Sequence, residues 1–276
     1  MISQLNILGQ DKVQVAIQRL RTFEPTEGYY VAFSGGKDSQ VIYHLCKEAG
    51  VKFDAHYNIT GIDPPELVYF IRENYPDVQR HQHEKSMFQL MEKKGPPTRI
   101  KRFCCAELKE RGGAGRFVVT GVRWGESSKR KNTRNLIEFD VYGSQSKKAK
   151  EQREIFLQSD NDEKRQMIEN CTVKGQHVLN PIVDWTDTDV WNYIRSRKLK
   201  YCKLYDEGYK RIGCIGCPMA SKENRKRDLE RYPKFAENYK RAIGRWLPGY
   251  IERRKAKGEK PLFETVEDWY SWWIEE

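Results

Sequence analysis

A lysine stands inside a glycine turn at residues 34–39, SGGKDS, between a short apolar run and a helical pattern. The two glycines allow a tight turn that exposes backbone N–H groups, and the helix that follows directs its positive end to the same place. The lysine adds a full charge, and the serine hydroxyls add donors. These features predict a binding site for phosphate or pyrophosphate. The predicted nucleotide-binding residues of this glycine loop are Ser34, Gly35, Gly36, Lys37, Asp38 and Ser39.

The negatively charged Asp38 does not suit a site that binds only anions, unless it binds Mg²⁺ or orients Lys37. The glycine loop lacks the Gly-x-x-x-x-Gly-Lys-Ser/Thr pattern of a Walker A motif, so transfer of a γ-phosphate is not predicted. The alternative is an ordinary strand–turn–helix connection whose polar side chains are solvated.

Four of the seven cysteines form two pairs, in FCCAELK at residues 103–109 and GCIGCP at residues 213–218. Four thiolates suit an iron–sulfur cluster or a tetrahedral zinc ion, and a Cys-x-x-Cys redox pair is a third interpretation. The spacing alone does not choose among them. Cys46 is predicted to be a small core residue, and Cys171 and Cys202 receive no role. The paired cysteines are Cys104, Cys105, Cys214 and Cys217.

Composition narrows the class of partner. Across 276 residues, 50 Lys and Arg exceed 39 Asp and Glu by 50 − 39 = 11 positive charges, which favours nucleotides, phosphates or nucleic acid. A basic surface without a specific polyanion is the alternative. We find no basic leader and no run of about 20 apolar residues, so we expect a cytoplasmic protein with reduced thiols.

The elements that must position these residues follow an α/β pattern. A helix is predicted at about residues 11–22, strands at residues 29–33, 52–58 and 116–123, and helices after the glycine loop and from Pro64. Alternating strands and helices at this spacing predict a doubly wound, mostly parallel sheet. Thr186 or Asp187 can cap a later helix. The predicted parts are an N-terminal helix (residues 1–28), a nucleotide-binding domain (29–220) with a charged, partly helical insertion (129–176), and a basic, aromatic helical tail (221–276).

The glycine loop resembles the pyrophosphate loop of the ATP pyrophosphatases, the adenine nucleotide α-hydrolase-like superfamily. TGVRWGESSKR at residues 120–130 resembles the Gly-x-Arg-x-x-Glu-Ser-x-x-Arg signature of the phosphoadenosine-phosphosulfate reductase family. NPIVDWTDTDVWNYI and YCKLYDEGYKRIGCIGCP are similar to later blocks of that family, so the resemblance covers about residues 29–220 without the insertion. It implies that an adenine nucleotide is bound, and that ATP is cleaved between its α- and β-phosphates or held without cleavage.

The resemblance also implies roles for residues outside the glycine loop. Arg123 and Arg130 follow a predicted strand and can pair with phosphate or sulfate oxygens, although surface arginines are the alternative. The four paired cysteines are implied to hold a [4Fe-4S] cluster, with Lys109 facing an anionic group of the substrate or simply solvated. The implied catalytic residues are Lys37, Asp38, Arg123 and Arg130, and the implied nucleotide contacts outside the loop are Thr60, Gly61, Gly121 and Arg123.

The sequence departs from the family pattern in two ways. True reductases carry a nucleophilic cysteine on a C-terminal tail, whereas no cysteine follows Cys217 in this sequence. We therefore do not expect reduction by the usual route unless Cys171 or Cys202 substitutes. Ile59 replaces the first acid of the family's Asp-Thr-Gly, and Asp63 can compensate.

Three hypotheses follow. In the first, the protein binds ATP and Mg²⁺, adenylates an acceptor such as DNA or RNA, and supports sulfur transfer from a donor such as a cysteine desulfurase, which resembles the sulfur-transfer branch of the superfamily. The second is reduction of phosphoadenylyl- or adenylyl-sulfate. The third is a non-catalytic nucleotide-binding subunit of a larger assembly. The positive charge and the Lys- and Arg-rich insertion favour a substrate with a phosphate backbone.

Overall fold

The computed structural model leaves most of the predicted insertion, residues 139–176 with Cys171, outside the part of the chain that it describes. That part comprises residues 9, 11–109, 112–113, 115–138 and 177–275. Within it, no helix has the length and apolar character needed to cross a membrane.

Six strands form one sheet in the described residues. They are β1 (Tyr29–Ala32), β2 (Phe53–Ile59), β3 (Gln79–Gln82), β4 (Phe117–Val119), β5 (Ile137–Glu138) and β6 (His177–Leu179). Their order across the sheet is β3-β2-β1-β4-β6-β5. β1 is parallel to β2 and β4, β4 is parallel to β6, and β5 is an antiparallel edge strand. The predicted fold class, a mostly parallel α/β sheet, is confirmed.

Ten α-helices are present in the described residues. They are α1 (Lys12–Thr22), α2 (Lys37–Ala49), α3 (Pro65–Asn74), α4 (Met87–Lys94), α5 (Phe103–Leu108), α6 (Ser128–Thr133), α7 (Asp187–Ser196), α8 (Lys222–Arg231), α9 (Pro233–Ala256) and α10 (Val266–Glu275). α1 and α3 begin within one residue of the predicted positions. α6 and β5 lie in the first part of the predicted insertion, so regular structure continues there up to Glu138.

The first of two compact units contains the glycine loop and the centre of the sheet. It comprises Met1–Tyr57, Tyr69–Arg80 and Gly112–Glu207. α2 buries Val41 and Leu45 on one face and ends at Gly50, whose φ of 70° is the left-handed conformation that glycine adopts readily. Because α2 follows β1 directly, its first turn is fixed at the carboxyl end of that strand.

The second unit has an aromatic core and comprises Asn58–Val68, His81–Arg111 and Gly208–Glu276. Trp269 and Trp273 of α10 are buried with Tyr239 of α9. Gly95 ends α4 at a φ of 78°, and a Cβ atom there would lie 2.7 Å from the ring of Trp246. Only glycine therefore allows this close approach. The tail predicted at residues 221–276 packs in this unit with two earlier segments of the chain.

Candidate functional sites

The glycine loop is held in shape by its own hydrogen bonds. Gly35 has a φ of 73°, and its carbonyl accepts a hydrogen bond from the fully buried Gln40 side chain at 2.8 Å. The Ser39 hydroxyl donates to the Gly36 carbonyl at 2.9 Å and accepts from the backbone N–H of Ser34 at 3.2 Å. The turn is therefore preorganised by residues of the loop and of the first turn of α2.

Two buried cations lie at this loop. Lys37 is 3% exposed and Arg123 is 2% exposed, so each needs a counter-ion to offset its desolvation. Arg123 Nε lies 2.6 Å from Asp38 Oδ1, and Arg123 Nη2 lies 3.1 Å from Asp187 Oδ1. Lys37 Nζ lies 3.2 Å from the same Asp187 oxygen and 3.7 Å from Asp38 Oδ2. These four residues, with two positive and two negative charges, form the ionic network.

Topology explains why residues so far apart in the chain meet here. The glycine loop follows β1, and Arg123 follows β4, the parallel neighbour of β1. Carboxyl ends of adjacent parallel strands lie at the same edge of a sheet, where ligands bind in open α/β folds. A Cβ atom at Gly121 would lie 2.9 Å from the backbone carbonyl of Asp38, so glycine allows the two segments to touch. The structure thus brings together four of the sequence-predicted site residues, Lys37, Asp38, Gly121 and Arg123.

Two residues of this site escaped the sequence analysis. Tyr205 accepts a hydrogen bond from the backbone N–H of Lys37 at 2.9 Å, and burial raises the pKa of its phenol. Asp187 was considered only as a helix cap, and the cap of α7 is Thr186. An acidic residue in the first turn of a helix is a common stabilising choice, so Asp187 carried no distinct signal in the sequence.

Arg130 reaches the ionic network through one intermediate residue. It forms an ion pair with Glu126, and the Glu126 carboxylate accepts the backbone N–H of Arg123 at 3.1 Å. Arg130 is therefore connected to the backbone of Arg123 through the Glu126 carboxylate, and it stabilises the turn that carries the Arg123 side chain.

Thr60 and Gly61, the other implied nucleotide contacts, lie in the second unit. The Thr60 hydroxyl donates to Asp63 Oδ2 at 2.8 Å, and Asp63 Oδ1 accepts from Cys214 Sγ at 3.7 Å. Ile215 N donates to Ile62 O at 2.8 Å. Asp63 thus joins the segment around Thr60 to the Cys-x-x-Cys turn.

The four paired cysteines line one cavity of about 450 Å³ in the second unit, hereafter the cysteine cavity. All four are free thiols. Arg102 donates to Cys105 Sγ at 3.6 Å. The hydrogen bonds from Cys104 and Arg102 and the charge of Arg102 outweigh burial and lower the pKa of Cys105. The structure places the sequence-predicted residues Cys104, Cys105, Cys214 and Cys217 together at this cavity.

Lys109 also lines the cysteine cavity. Electrostatic interactions with the nearby Cys214 and Asp63 side chains raise the pKa of Lys109 above its ordinary value. Burial raises the pKa of Cys214 to about 11, although Lys109 opposes the increase. The Cys104 pKa is raised by its hydrogen bond to Cys105 and by burial. Within the described ranges, no three His, Cys, Asp or Glu side chains are arranged as ligands of a single metal ion.

The fold is that of an α/β protein with a mostly parallel sheet, and a lysine-bearing glycine loop follows its first strand. A family model, the phosphoadenosine phosphosulfate reductase domain, matches residues 28–220. The chain belongs to this family, as the sequence resemblance predicted.

The individual relatives have low sequence identity to this chain or match only a short segment of it. An uncharacterised protein of Methanocaldococcus jannaschii is 26% identical over 230 residues, covering 82% of this chain and 50% of the relative. The chain thus spans about half the length of this curated relative. An adenosine 5'-phosphosulfate reductase of Staphylococcus epidermidis is 39% identical over 66 residues, covering 24% of this chain and 21% of that protein. The crystal structure of a phosphoadenylyl-sulfate reductase from Candida auris is 18% identical, with a TM-score of 0.45, covering 72% of this chain and 87% of that one.

Proposed function

We propose that this protein is an ATP pyrophosphatase that adenylates an acceptor for sulfur transfer. The observation that carries the proposal is the ionic network, which sets two buried cations beside a glycine loop at the carboxyl ends of β1 and β4. Family membership supports an adenine nucleotide as the ligand. In the proposed reaction, an acceptor oxygen attacks the α-phosphorus of ATP. The bond to the bridging oxygen breaks, and pyrophosphate leaves with the electron pair.

The residues of the glycine loop act on the leaving pyrophosphate. Lys37 neutralises its charge, and the buried Arg123 guanidinium adds a second preorganised positive charge. Asp38 already faces Arg123 at 2.6 Å and Lys37 at 3.7 Å, which favours the orienting role among the two roles that the sequence left open. Mg²⁺ then enters with the nucleotide, because it is commonly held by substrate phosphates with few protein ligands.

The cysteine cavity fits an iron–sulfur cluster. Four thiolates at one cavity suit a [4Fe-4S] cluster or a tetrahedral zinc ion, and the family resemblance favours the cluster. Cys104, Cys105, Cys214 and Cys217 would hold a [4Fe-4S] cluster, and Lys109 would balance its negative charge. When bound with four protein ligands, the cluster would supply structural support and a fixed charge.

We propose a nucleic acid, DNA or RNA, as the acceptor. The excess of 11 positive charges supports a polyanionic partner. A cysteine desulfurase or another donor would supply the sulfur as a persulfide, which a thiol reductant cleaves to sulfide. The sulfide then attacks the acceptor atom that bears the adenylated oxygen, and the bond to that oxygen breaks with its electron pair going to the departing AMP. Release of AMP then completes the exchange.

Reduction of adenylyl-sulfate is the second candidate, and the local identity of 39% to an adenosine 5'-phosphosulfate reductase favours it. Such a reductase needs an accessible thiolate to attack the sulfate sulfur. Outside the cysteine cavity, the described cysteines are Cys46 and Cys202, which are 0% and 1% exposed, and burial raises the pKa of Cys46. The described residues therefore favour the ATP pyrophosphatase.

The direct test of the site is titration calorimetry with ATP and Mg²⁺ on the wild type, Lys37→Ala and Lys47→Ala. Lys47 lies on the same helix with a side chain that is 51% exposed, so it is a matched control. We expect Lys37→Ala to weaken binding by roughly tenfold or more, and Lys47→Ala to leave it unchanged. Unchanged affinity in Lys37→Ala would overturn the site. Sulfite release from adenylyl-sulfate with thioredoxin would favour the reductase, and ATP binding without turnover would favour a non-catalytic subunit.

A further inference from the structure

In the ionic network, the donors that a phosphate would need already have acceptors within the chain. Asp187 Oδ1 faces Lys37 Nζ at 3.2 Å and Arg123 Nη2 at 3.1 Å. The Tyr205 hydroxyl accepts the backbone N–H of Lys37, the first residue of α2, at 2.9 Å. One carboxylate oxygen and one hydroxyl oxygen therefore engage donors that a bound phosphate would use.

Asp187 differs from the other members of the network in its exposure. Its side chain is 60% exposed, whereas that of Asp38 is 21% exposed. The side chains of Lys37 and Arg123 are 4% and 3% exposed. Asp187 therefore lies on the solvent side of the cations, where an incoming anion arrives. Asp38 lies deeper, and its backbone is packed against Gly121.

We propose that Asp187 and Tyr205 are placeholders for phosphate oxygens, and that a polyphosphate displaces both when it enters the glycine loop. The inference rests on the proposed function of this loop. With both carboxylates in place, the charges of the network sum to zero. When Asp187 moves away, one positive charge becomes available to the ligand. Because pyrophosphate carries more negative charge than orthophosphate and presents oxygens on two phosphorus atoms, we expect the loop to bind pyrophosphate more tightly.

The test compares inorganic pyrophosphate and orthophosphate binding by titration calorimetry, with and without Mg²⁺. We expect Asp187→Asn to bind pyrophosphate roughly tenfold more tightly than the wild type, which is the effect of one charge-assisted hydrogen bond. Tyr205→Phe removes the hydroxyl that accepts from the backbone N–H of Lys37 and is expected to bind pyrophosphate several-fold more tightly, by roughly the effect of one neutral hydrogen bond. Binding of orthophosphate should remain weaker in all proteins.

Two matched controls are available in the same unit. Asp184→Asn removes a carboxylate that pairs with Arg19 at 2.8 Å, and Tyr201→Phe removes a hydroxyl that donates to Asp206 at 3.0 Å. Both should bind pyrophosphate as the wild type does. Thermal unfolding checks that each variant is folded, and Tyr205→Phe tests the proposal independently if Asp187→Asn does not fold.

Weaker binding by Asp187→Asn, or no gain in either variant, would overturn the inference. Absence of pyrophosphate binding in all proteins would also overturn it. If Asp187→Asn lost pyrophosphate binding only in the presence of Mg²⁺, Asp187 would be a metal ligand and not a placeholder for a phosphate oxygen. These outcomes differ from failure of the proposed function, which is marked by unchanged ATP affinity in Lys37→Ala.

Discussion

Arg123 Nε lies 2.6 Å from Asp38 Oδ1, and this ion pair joins the segment after β4 to the first turn of α2. Both groups are far apart in the chain, and the guanidinium is almost fully buried. The pair fixes the turn that presents Lys37. Its loss would therefore change the glycine loop as well as remove a charge.

Replacing Arg123 with lysine tests this geometry. Lysine keeps the charge but lacks the planar group that reaches Asp38 and Asp187 together. We expect ATP affinity in Arg123→Lys to fall by about tenfold, since one charge-assisted contact is lost. The measurement is titration calorimetry. Arg134→Lys, at a residue that pairs with Glu138, is the control, and equal affinities in the two variants would contradict the role of Arg123.

Gly121→Ala tests the close approach of the two segments. The added Cβ would lie 2.9 Å from backbone atoms of Asp38, which cannot move aside as a flexible side chain can. Overpacking of this kind costs about 1–3 kcal/mol. Urea unfolding should show this loss, and ATP binding should weaken. Gly125→Ala, where the nearest atoms are 3.9 Å away, should change neither quantity by a comparable amount.

Serine replacements test the cysteine cavity. Changing any of its four cysteines should reduce iron and acid-labile sulfide in anaerobically purified protein, because each removes one thiolate ligand. The variants are Cys104→Ser, Cys105→Ser, Cys214→Ser and Cys217→Ser. Cys202→Ala changes a buried cysteine elsewhere and should retain the wild-type content. Zinc without sulfide in the wild type would contradict the cluster.

Lowering the pH should weaken the ion pair between Asp54 and Arg116 in the first unit. Burial acts to raise the pKa of Asp54, but hydrogen bonds from Arg116 and His56 outweigh it and hold the pKa below the ordinary 3.8. This carboxylate therefore stabilises the fold above its unfolded pKa, and the contribution is lost as pH falls through the lower native pKa. Arg116→Leu should lower the free energy of unfolding at pH 7, and the difference from wild type should shrink below about pH 4. A difference independent of pH in urea unfolding would argue against this pairing.

Local patterns in the sequence predicted much of the fold and part of the site. The glycine loop, α2 and the Cys-x-x-Cys turn are set by adjacent residues, so their types and spacing suffice. β4 is shorter than the strand predicted at residues 116–123, because the chain turns after Val119 to bring Gly121 and Arg123 to the loop.

Contacts made by distant residues could not be predicted in the same way. Tyr205 meets the backbone of Lys37 across 168 positions of the chain, and neither residue type nor spacing indicates the pair. Asp187 has an ordinary role available to it in the first turn of α7. Only the tertiary fold distinguishes it from other acidic residues near helix starts.

The products formed from ATP test the central claim most directly. Anaerobically purified protein would be incubated with ATP labelled at the γ-phosphate, Mg²⁺ and total cellular nucleic acid, with Lys37→Ala as the matched control. The account predicts that the wild type releases the label as pyrophosphate and that the variant does not. Recovery of the label as orthophosphate, or retention of all label in ATP, would contradict cleavage between the α- and β-phosphates.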